Sequence, residues 1–316
     1  MKGLLKERLF MGKVVFSRTL LAFTIASSFI ASANNTQSNT SVALASPTIV
    51  KNPSTRSSHA NTIALTGEVK QGGLIVGKAL PSDTVTLNDK VLAVSANGDY
   101  VFGFSRDDTT DYQLVVTSIN GDRVEKTLTP EKREYKIQRI EGIKKSIMQP
   151  NPKAVTRSRK DSTQVKAARK TASSLDYFAQ GFIPPIEGTI TGVYGSQRVY
   201  NGIPKNPHFG LDYAGNTGDP VKAPASGTVL LWVPDMFYSG GTMIIDHGQG
   251  VSSTFLHLSN SYVKKGDKVT QGQVVAAVGK SGRATGPHLD WRINWFDVRI
   301  DPALVLKLQP LKTIQQ

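Results

Sequence analysis

The sequence predicts an all-β fold in two domains, on three observations. Apolar residues recur in short runs of period two, as in Thr84-Val-Thr-Leu and Tyr112-Gln-Leu-Val-Val. Turn signals divide these runs, among them Pro81-Ser-Asp, Asn97-Gly-Asp and Asn120-Gly-Asp, and glycine punctuates nearly every turn of the second half. No strand–helix–strand alternation of the parallel kind is visible. At 316 residues the chain is long enough to bury two cores.

Residues 1–33 belong to neither domain. Lys2, Lys6, Arg8, Lys13 and Arg18 make a basic start, Thr19 to Ala31 is apolar, and Ala31-Ser32-Ala33 is a small-residue cleavage site. This is the pattern of a secretory signal peptide. The apolar run is shorter than the roughly 20 residues that span a bilayer as a helix, so no stable membrane span is expected once the segment is cleaved. Residues 34–61, rich in Ser, Thr, Asn and Ala without apolar periodicity, read as a flexible leader.

From 62 to 140 the short alternating strands suit a small antiparallel β-sandwich. Nothing in it looks catalytic; a spacer or packing role is expected, with ligand contact through its polar loops as the alternative. Residues 141–181 form a basic linker: nine Lys or Arg and a single acid, Asp161, lie between Lys144 and Lys170. Alanines in its second half suit a helix from about Ser162 to Ser173. Residues 182–311 are again β-rich, with runs such as Gly227-Thr-Val-Leu-Leu-Trp-Val, Thr242-Met-Ile-Ile-Asp and Val274-Val-Ala-Ala-Val.

Charge and composition narrow the chemistry. The formal net charge of +14 falls to about +10 without the first 33 residues, which carry five basic groups and one acidic group. An exported cationic protein is drawn to anionic envelope polymers, and export argues against nucleic acid as a partner. Without cysteine there is no disulfide framework, no Cys-ligated metal and no thiol nucleophile. A metal here must use histidine and carboxylate.

Only five histidines occur, and three of them sit in segments of unusual composition. His208 and Asp212 lie in Pro207-His-Phe-Gly-Leu-Asp, His257 in Phe255-Leu-His-Leu-Ser, and His288 with Asp290 in Gly286-Pro-His-Leu-Asp-Trp. In an extended strand, residues two or four apart share a face. His208 with Asp212, and His288 with Asp290, can therefore each converge on one point. Imidazole nitrogen and carboxylate oxygen suit Zn²⁺, which binds them tetrahedrally and keeps a position open when catalytic.

Ordered blocks give the second domain a resemblance to the lysostaphin and LytM type of zinc endopeptidases, which cleave peptide bonds in peptidoglycan. The blocks are His208-Phe-Gly-Leu-Asp-Tyr-Ala, Pro220-Val-Lys-Ala-Pro-Ala-Ser-Gly-Thr-Val, Ile245-Asp-His-Gly, Phe255-Leu-His-Leu-Ser, the run from Val263 to Val274, and Thr285-Gly-Pro-His-Leu. The resemblance implies an antiparallel β-sheet groove with one zinc ion on its floor. It implies His208 and Asp212 as zinc ligands, with His257 and His288 as the catalytic pair. The family's last motif is usually His-x-His, and this chain has Asp290 in the second place. Asp290 is the expected third ligand, its oxygen standing as many bonds from the backbone as the near ring nitrogen of histidine.

Further expectations are attached to this reading. Arg198, Tyr200 and Trp291 are candidates for substrate binding, and His247 for a structural role. The hairpin from Val263 to Val278 also resembles a lipoyl or biotinyl carrier, but no lysine stands at its tip. The expected function is an exported zinc metalloendopeptidase acting on peptidoglycan stems or cross-links, periplasmic or secreted. The alternative, which Asp290 favours, is a catalytically silent LytM-type protein that binds the wall or activates another hydrolase.

Overall fold

The computed structural model describes residues 63–144 and 151–312. The expected signal peptide, the whole of the expected leader, and part of the basic linker lie outside the described residues. Within them the chain is nearly all β, and no helix is long and apolar enough to cross a membrane.

The N-terminal part is a two-sheet sandwich, as its turn spacing predicts. One sheet has the order β1 (Ala64–Thr66), β2 (Leu74–Lys78), β5 (Asp99–Gly103); the other runs β4 (Lys90–Leu92), β3 (Thr84–Leu87), β6 (Tyr112–Thr117), β7 (Arg123–Leu128). Ile75, Tyr100 and Phe102 meet Val85, Leu87, Leu114 and Leu128 in the core between them. Every residue of β2 and β5 is buried. Because strand side chains alternate, Leu74, Val76 and Val101 point away from that core and join the core of the C-terminal part. The central sheet is therefore covered on both faces. Polar ties reinforce the contact: the Arg106 guanidinium donates twice to the Gly195 carbonyl, at 3.0 and 2.8 Å, and the Gln249 side chain donates to the Asp99 carbonyl at 3.0 Å. A parallel pairing of β8 (Ile137–Ile140) with β10 (Gln197–Tyr200), which also carries β11 (Ile203–Pro204), adds a backbone link.

The basic segment holds an 18-residue helix, α1 (Pro152–Arg169), which starts before the expected Ser162 and ends before Ser173. Its start is capped by Asn151, whose side chain accepts from the Lys153 N–H, followed by proline at the first helical position; Lys166 and Arg169 lie in the last turn, where the helix dipole favours cations. Val155, Ser158, Asp161, Val165 and Ala168 form its half-buried stripe.

The C-terminal part is built on an eight-stranded sheet in the order β18 (Lys268–Val269), β14 (Gly227–Met236), β15 (Gly240–Gly248), β16 (Val251–Leu258), β20 (His288–Trp295), β12 (Leu211–Ala214), β9 (Ile190–Gly192), with β21 (Val298–Ile300) pairing β20. A three-stranded sheet of β13 (Pro220–Lys222), β19 (Val274–Ala277) and β17 (Asn260–Ser261) flanks it. Register sorts the large sheet into two faces. Met243, Phe255, Trp291 and Leu211 are cross-strand neighbours on the core face. Burying large side chains of this kind stabilises the fold by about 1.5–3 kcal/mol each. Asp212, Asp290, Leu256, Arg292, Thr254 and Ile244 occupy the opposite face by the same register. Helix α1 lies on that second face: Asp161 accepts from the Phe237 N–H at 2.8 Å, and Arg169 donates to Thr254 Oγ1 at 3.2 Å.

Candidate metal centre and histidine pair

The site begins with a strand pair. On β12 and β20, Asp212 stands directly opposite Asp290 and Ala214 opposite His288, so both carboxylates reach the same face. His208 arrives from the loop before β12, held by reciprocal backbone bonds in which its N–H donates to Ser196 and its carbonyl accepts from Gly195, both at 2.8 Å. One ligand atom each from His208, Asp212 and Asp290 lies within 4.8 Å of the others. The three residues read from sequence as metal ligands are thus brought together.

Two glycines leave room for them. A Cβ at Gly192 would stand 2.2 Å from Asp212 Oδ2, and one at Gly210 would stand 2.5 Å from Asp290 Oδ1. Neither glycine stood out in the sequence, because nothing local marks a clearance needed by a side chain on the next strand.

The donor atoms fit a divalent cation. His208 Nε2 and Asp212 Oδ1 are buried without a hydrogen-bond partner; they lie 3.2 Å apart but are not aligned for a bond. Buried polar atoms are nearly always satisfied, so an orphaned imidazole nitrogen beside an orphaned carboxylate oxygen points to a partner such as a metal ion. Asp290 differs. Arg292 holds it bidentately, Nε donating to Oδ1 at 2.9 Å and Nη2 to Oδ2 at 2.5 Å. An ionised carboxylate offers about four lone-pair directions, so this pairing leaves acceptor capacity on both oxygens. Burial alone would raise the Asp290 carboxyl, but the Arg292 charge and hydrogen bonds, with His208 and His257, hold it below the usual carboxylate range. Sequence reading passed over Arg292, although its place two residues beyond Asp290 on one strand signals a shared face.

His257 and His288 form the second half of the site, their ring centroids 4.7 Å apart. His257 has φ +64° at an irregularity where β15 and β16 lose register, and this left-handed turn frees its ring from strict strand alternation. Its Nδ1 donates to the Ser281 carbonyl at 2.8 Å, while His288 Nδ1 donates to the Gly286 carbonyl at 2.9 Å. A carbonyl only accepts, so in each neutral ring the proton is on Nδ1 and Nε2 is left as an acceptor. Burial lowers the His257 pKa below the ordinary imidazole value, opposed by the Ser281 bond and the Asp290 charge. Ser281 is a further residue that sequence did not flag. Its hydroxyl accepts from the Gly241 N–H and donates to the Leu258 carbonyl, both at 2.8 Å, fixing the loop that orients His257.

The remaining candidates separate. Trp291 is a correction: it is fully buried in the core on the face opposite Asp290, its indole nitrogen 3.3 Å from Ser253 Oγ, so it lines no groove. Adjacency to Asp290 in a strand requires this opposite orientation. Arg198 and Tyr200 lie on β10 in the small sheet with β8 and β11; Arg198 is exposed, and Tyr200 carries the Lys205 ammonium 5.7 Å from its ring centroid. His247 is completely buried, Nδ1 bonded to the Ser226 carbonyl and Nε2 to Ser253 Oγ, each at 2.8 Å, which leaves no nitrogen for a metal.

Comparison with known proteins places this part of the chain among metallopeptidase relatives. Residues 206–302 match the model of peptidase family M23. The chain is 40% identical over 87 residues to the peptidoglycan DD-endopeptidase ShyA of Vibrio cholerae, an alignment covering 28% of this chain and 20% of ShyA. It is 37% identical over 109 residues to lysostaphin of Staphylococcus simulans, covering 33% of this chain and 22% of lysostaphin. The chain thus spans about a fifth of the length of these relatives. A crystal structure of a Pseudomonas aeruginosa protein assigned to peptidase M23 superposes with a TM-score of 0.56 at 28% identity, covering 76% of this chain and 95% of that one.

Proposed function

We propose, from the premise that the C-terminal domain of this chain is a peptidase family M23 domain, that the protein is an exported zinc metalloendopeptidase that hydrolyses peptide bonds in peptidoglycan stems or cross-links. The observation that carries the reading is the convergence of His208, Asp212 and Asp290 beside the paired rings of His257 and His288. The relatives named as peptidoglycan DD-endopeptidase and lysostaphin support the substrate class.

His208, Asp212 and Asp290 would hold one zinc ion, which supplies Lewis acidity toward a carbonyl oxygen and a water. The histidines supply the proton chemistry. With Nδ1 donating to a backbone carbonyl, the Nε2 of either ring accepts a proton from the attacking water, and once protonated it donates toward the charge developing on the substrate. Ser281 and Gly286 hold the rings in the tautomer this requires. Arg198 and Tyr200 are proposed to contact the peptide. The positive charge of the chain suits a location in the periplasm or outside the cell, among anionic wall polymers.

One observation favours a second reading, a silent wall-binding or activating protein: each oxygen of Asp290 already accepts a hydrogen bond from Arg292. Digestion of purified sacculi by the full chain separates the two. Release of soluble fragments carrying new amino groups, stopped by a chelator and restored by zinc, supports the enzyme; intact sacculi with the zinc-loaded chain overturn it.

A further inference from the structure

We infer that Arg292 is a positioning residue for the metal centre, the element that makes aspartate a workable third ligand in place of a neutral side chain. The inference rests on the metal-binding reading above.

The charge count motivates it. His208 is neutral as a ligand, Asp212 and Asp290 each bring one negative charge, and Arg292 brings one positive charge. The set is left with one net negative charge, as two imidazoles and one carboxylate would leave it. Without Arg292 two carboxylates would face each other across β12 and β20 with nothing to offset the second.

Geometry shows that the pairing is built in. Asp290 and Arg292 are two apart on β20 and so share a face, and the planar guanidinium meets the carboxylate with two parallel bonds. That engagement fixes the carboxylate plane, which a single lysine-like contact would not. Room for it comes from Gly210, where a Cβ would stand 2.5 Å from Asp290 Oδ1 and 2.8 Å from Arg292 Cγ. The cross-strand neighbours on the other side, Leu256 and Thr254, offer Arg292 no competing carboxylate. Arg292 acts as a like charge on Arg169, brought to Thr254 by helix α1, and on Arg299, while Asp290 and then Asp212 are the opposite charges facing its guanidinium.

The consequence is that the effect of removing Arg292 depends on the residue at position 290. Beside a carboxylate Arg292 is a support; beside a neutral imidazole it is an unpaired cation next to the metal. The test measures zinc affinity by competition with a chromophoric chelator for the full chain, Arg292→Met, Asp290→His and the double variant, with circular dichroism confirming that each is folded. Arg292→Met is expected to weaken zinc binding by about 10- to 100-fold, the range for losing a group that orients a metal ligand. In the Asp290→His background the same change is expected to strengthen binding. A change of the same sign in both backgrounds overturns the inference while leaving the metal reading intact. Failure of the unsubstituted chain to bind zinc at all overturns both. If Arg292→Met does not fold, Asp290→His alone decides: weaker binding than the parent supports the inference, and tighter binding with Arg292 still present overturns it.

Discussion

Asp212 and Asp290 face each other directly across two antiparallel strands, and His208 brings its free ring nitrogen within reach of both. Arg292 offsets the charge of Asp290, and the Asp212 carboxylate opposite it has no ion-pair partner of its own on the strand pair until a metal ion binds. Asp212→Asn is therefore expected to melt no lower than the parent in the presence of a chelator. Zinc should stabilise only the parent, by about 2.7 kcal/mol at a free concentration one hundred times its dissociation constant. Thermal unfolding followed by circular dichroism, with and without zinc, reads both effects. An equal zinc-induced shift in the two proteins would place the ion elsewhere.

The clearance at Gly192 can be tested without touching a ligand. Its added Cβ would meet Asp212 Oδ2 at 2.2 Å and Cγ at 2.8 Å, so the whole carboxylate must swing away, which a side chain can do where backbone cannot. Gly192→Ala is expected to lower zinc affinity by about 10-fold or more, in the manner of a disturbed supporting group, while the urea midpoint of the metal-free protein stays close to that of the parent. A large loss of stability with unchanged affinity would mean that the glycine serves the strand and not the site.

Much of this site was legible because its spacing matches strand geometry. The two-residue interval of His288 and Asp290 puts both on one face of β20, whereas His208 reaches Asp212 from the loop before β12, and that pair was legible because its order matches a known family pattern. The same parity, applied one residue further, sends Trp291 into the core and, two residues further, brings Arg292 beside Asp290. His257 escapes parity because its left-handed backbone lies at an irregular stretch of two strands far apart in sequence from its carbonyl partner at Ser281. The sandwich was legible from its turns, but not the double burial of β2 and β5, since a run such as Leu74-Ile-Val-Gly-Lys does not say what covers each side. Helix α1 was placed too late because its charges obscure a weak stripe, while Asn151 and Pro152 mark its true start.

The division between ligands and proton carriers predicts separable losses. His288→Ala and His257→Gln are each expected to retain zinc and to lower turnover on cross-linked peptide by about 10²- to 10⁴-fold, the usual contribution of a placed acid or base. Zinc content by atomic absorption, beside product formation on the same samples, makes the comparison. Loss of the metal in His288→Ala would recast that residue as a ligand.

A different histidine governs acid stability. His247 is wholly buried with both ring nitrogens bonded, and burial pushes its pKa down from 6.5 to about 4. The unfolded chain therefore binds this proton more readily than the native one. Stability from this group is intact above about pH 6.5, falls as the pH drops toward about 4, and levels off below, with a total of about 3 kcal/mol. Urea unfolding at pH 7.5 and pH 4.5 should show this loss in the parent and a smaller one in His247→Gln, which does not titrate there. Asp246, whose carboxyl burial raises, contributes to both proteins and cancels in the difference. Equal pH dependence in the two would show that His247 takes up its proton without cost to the fold, contrary to its sealed position between Ser226 and Ser253.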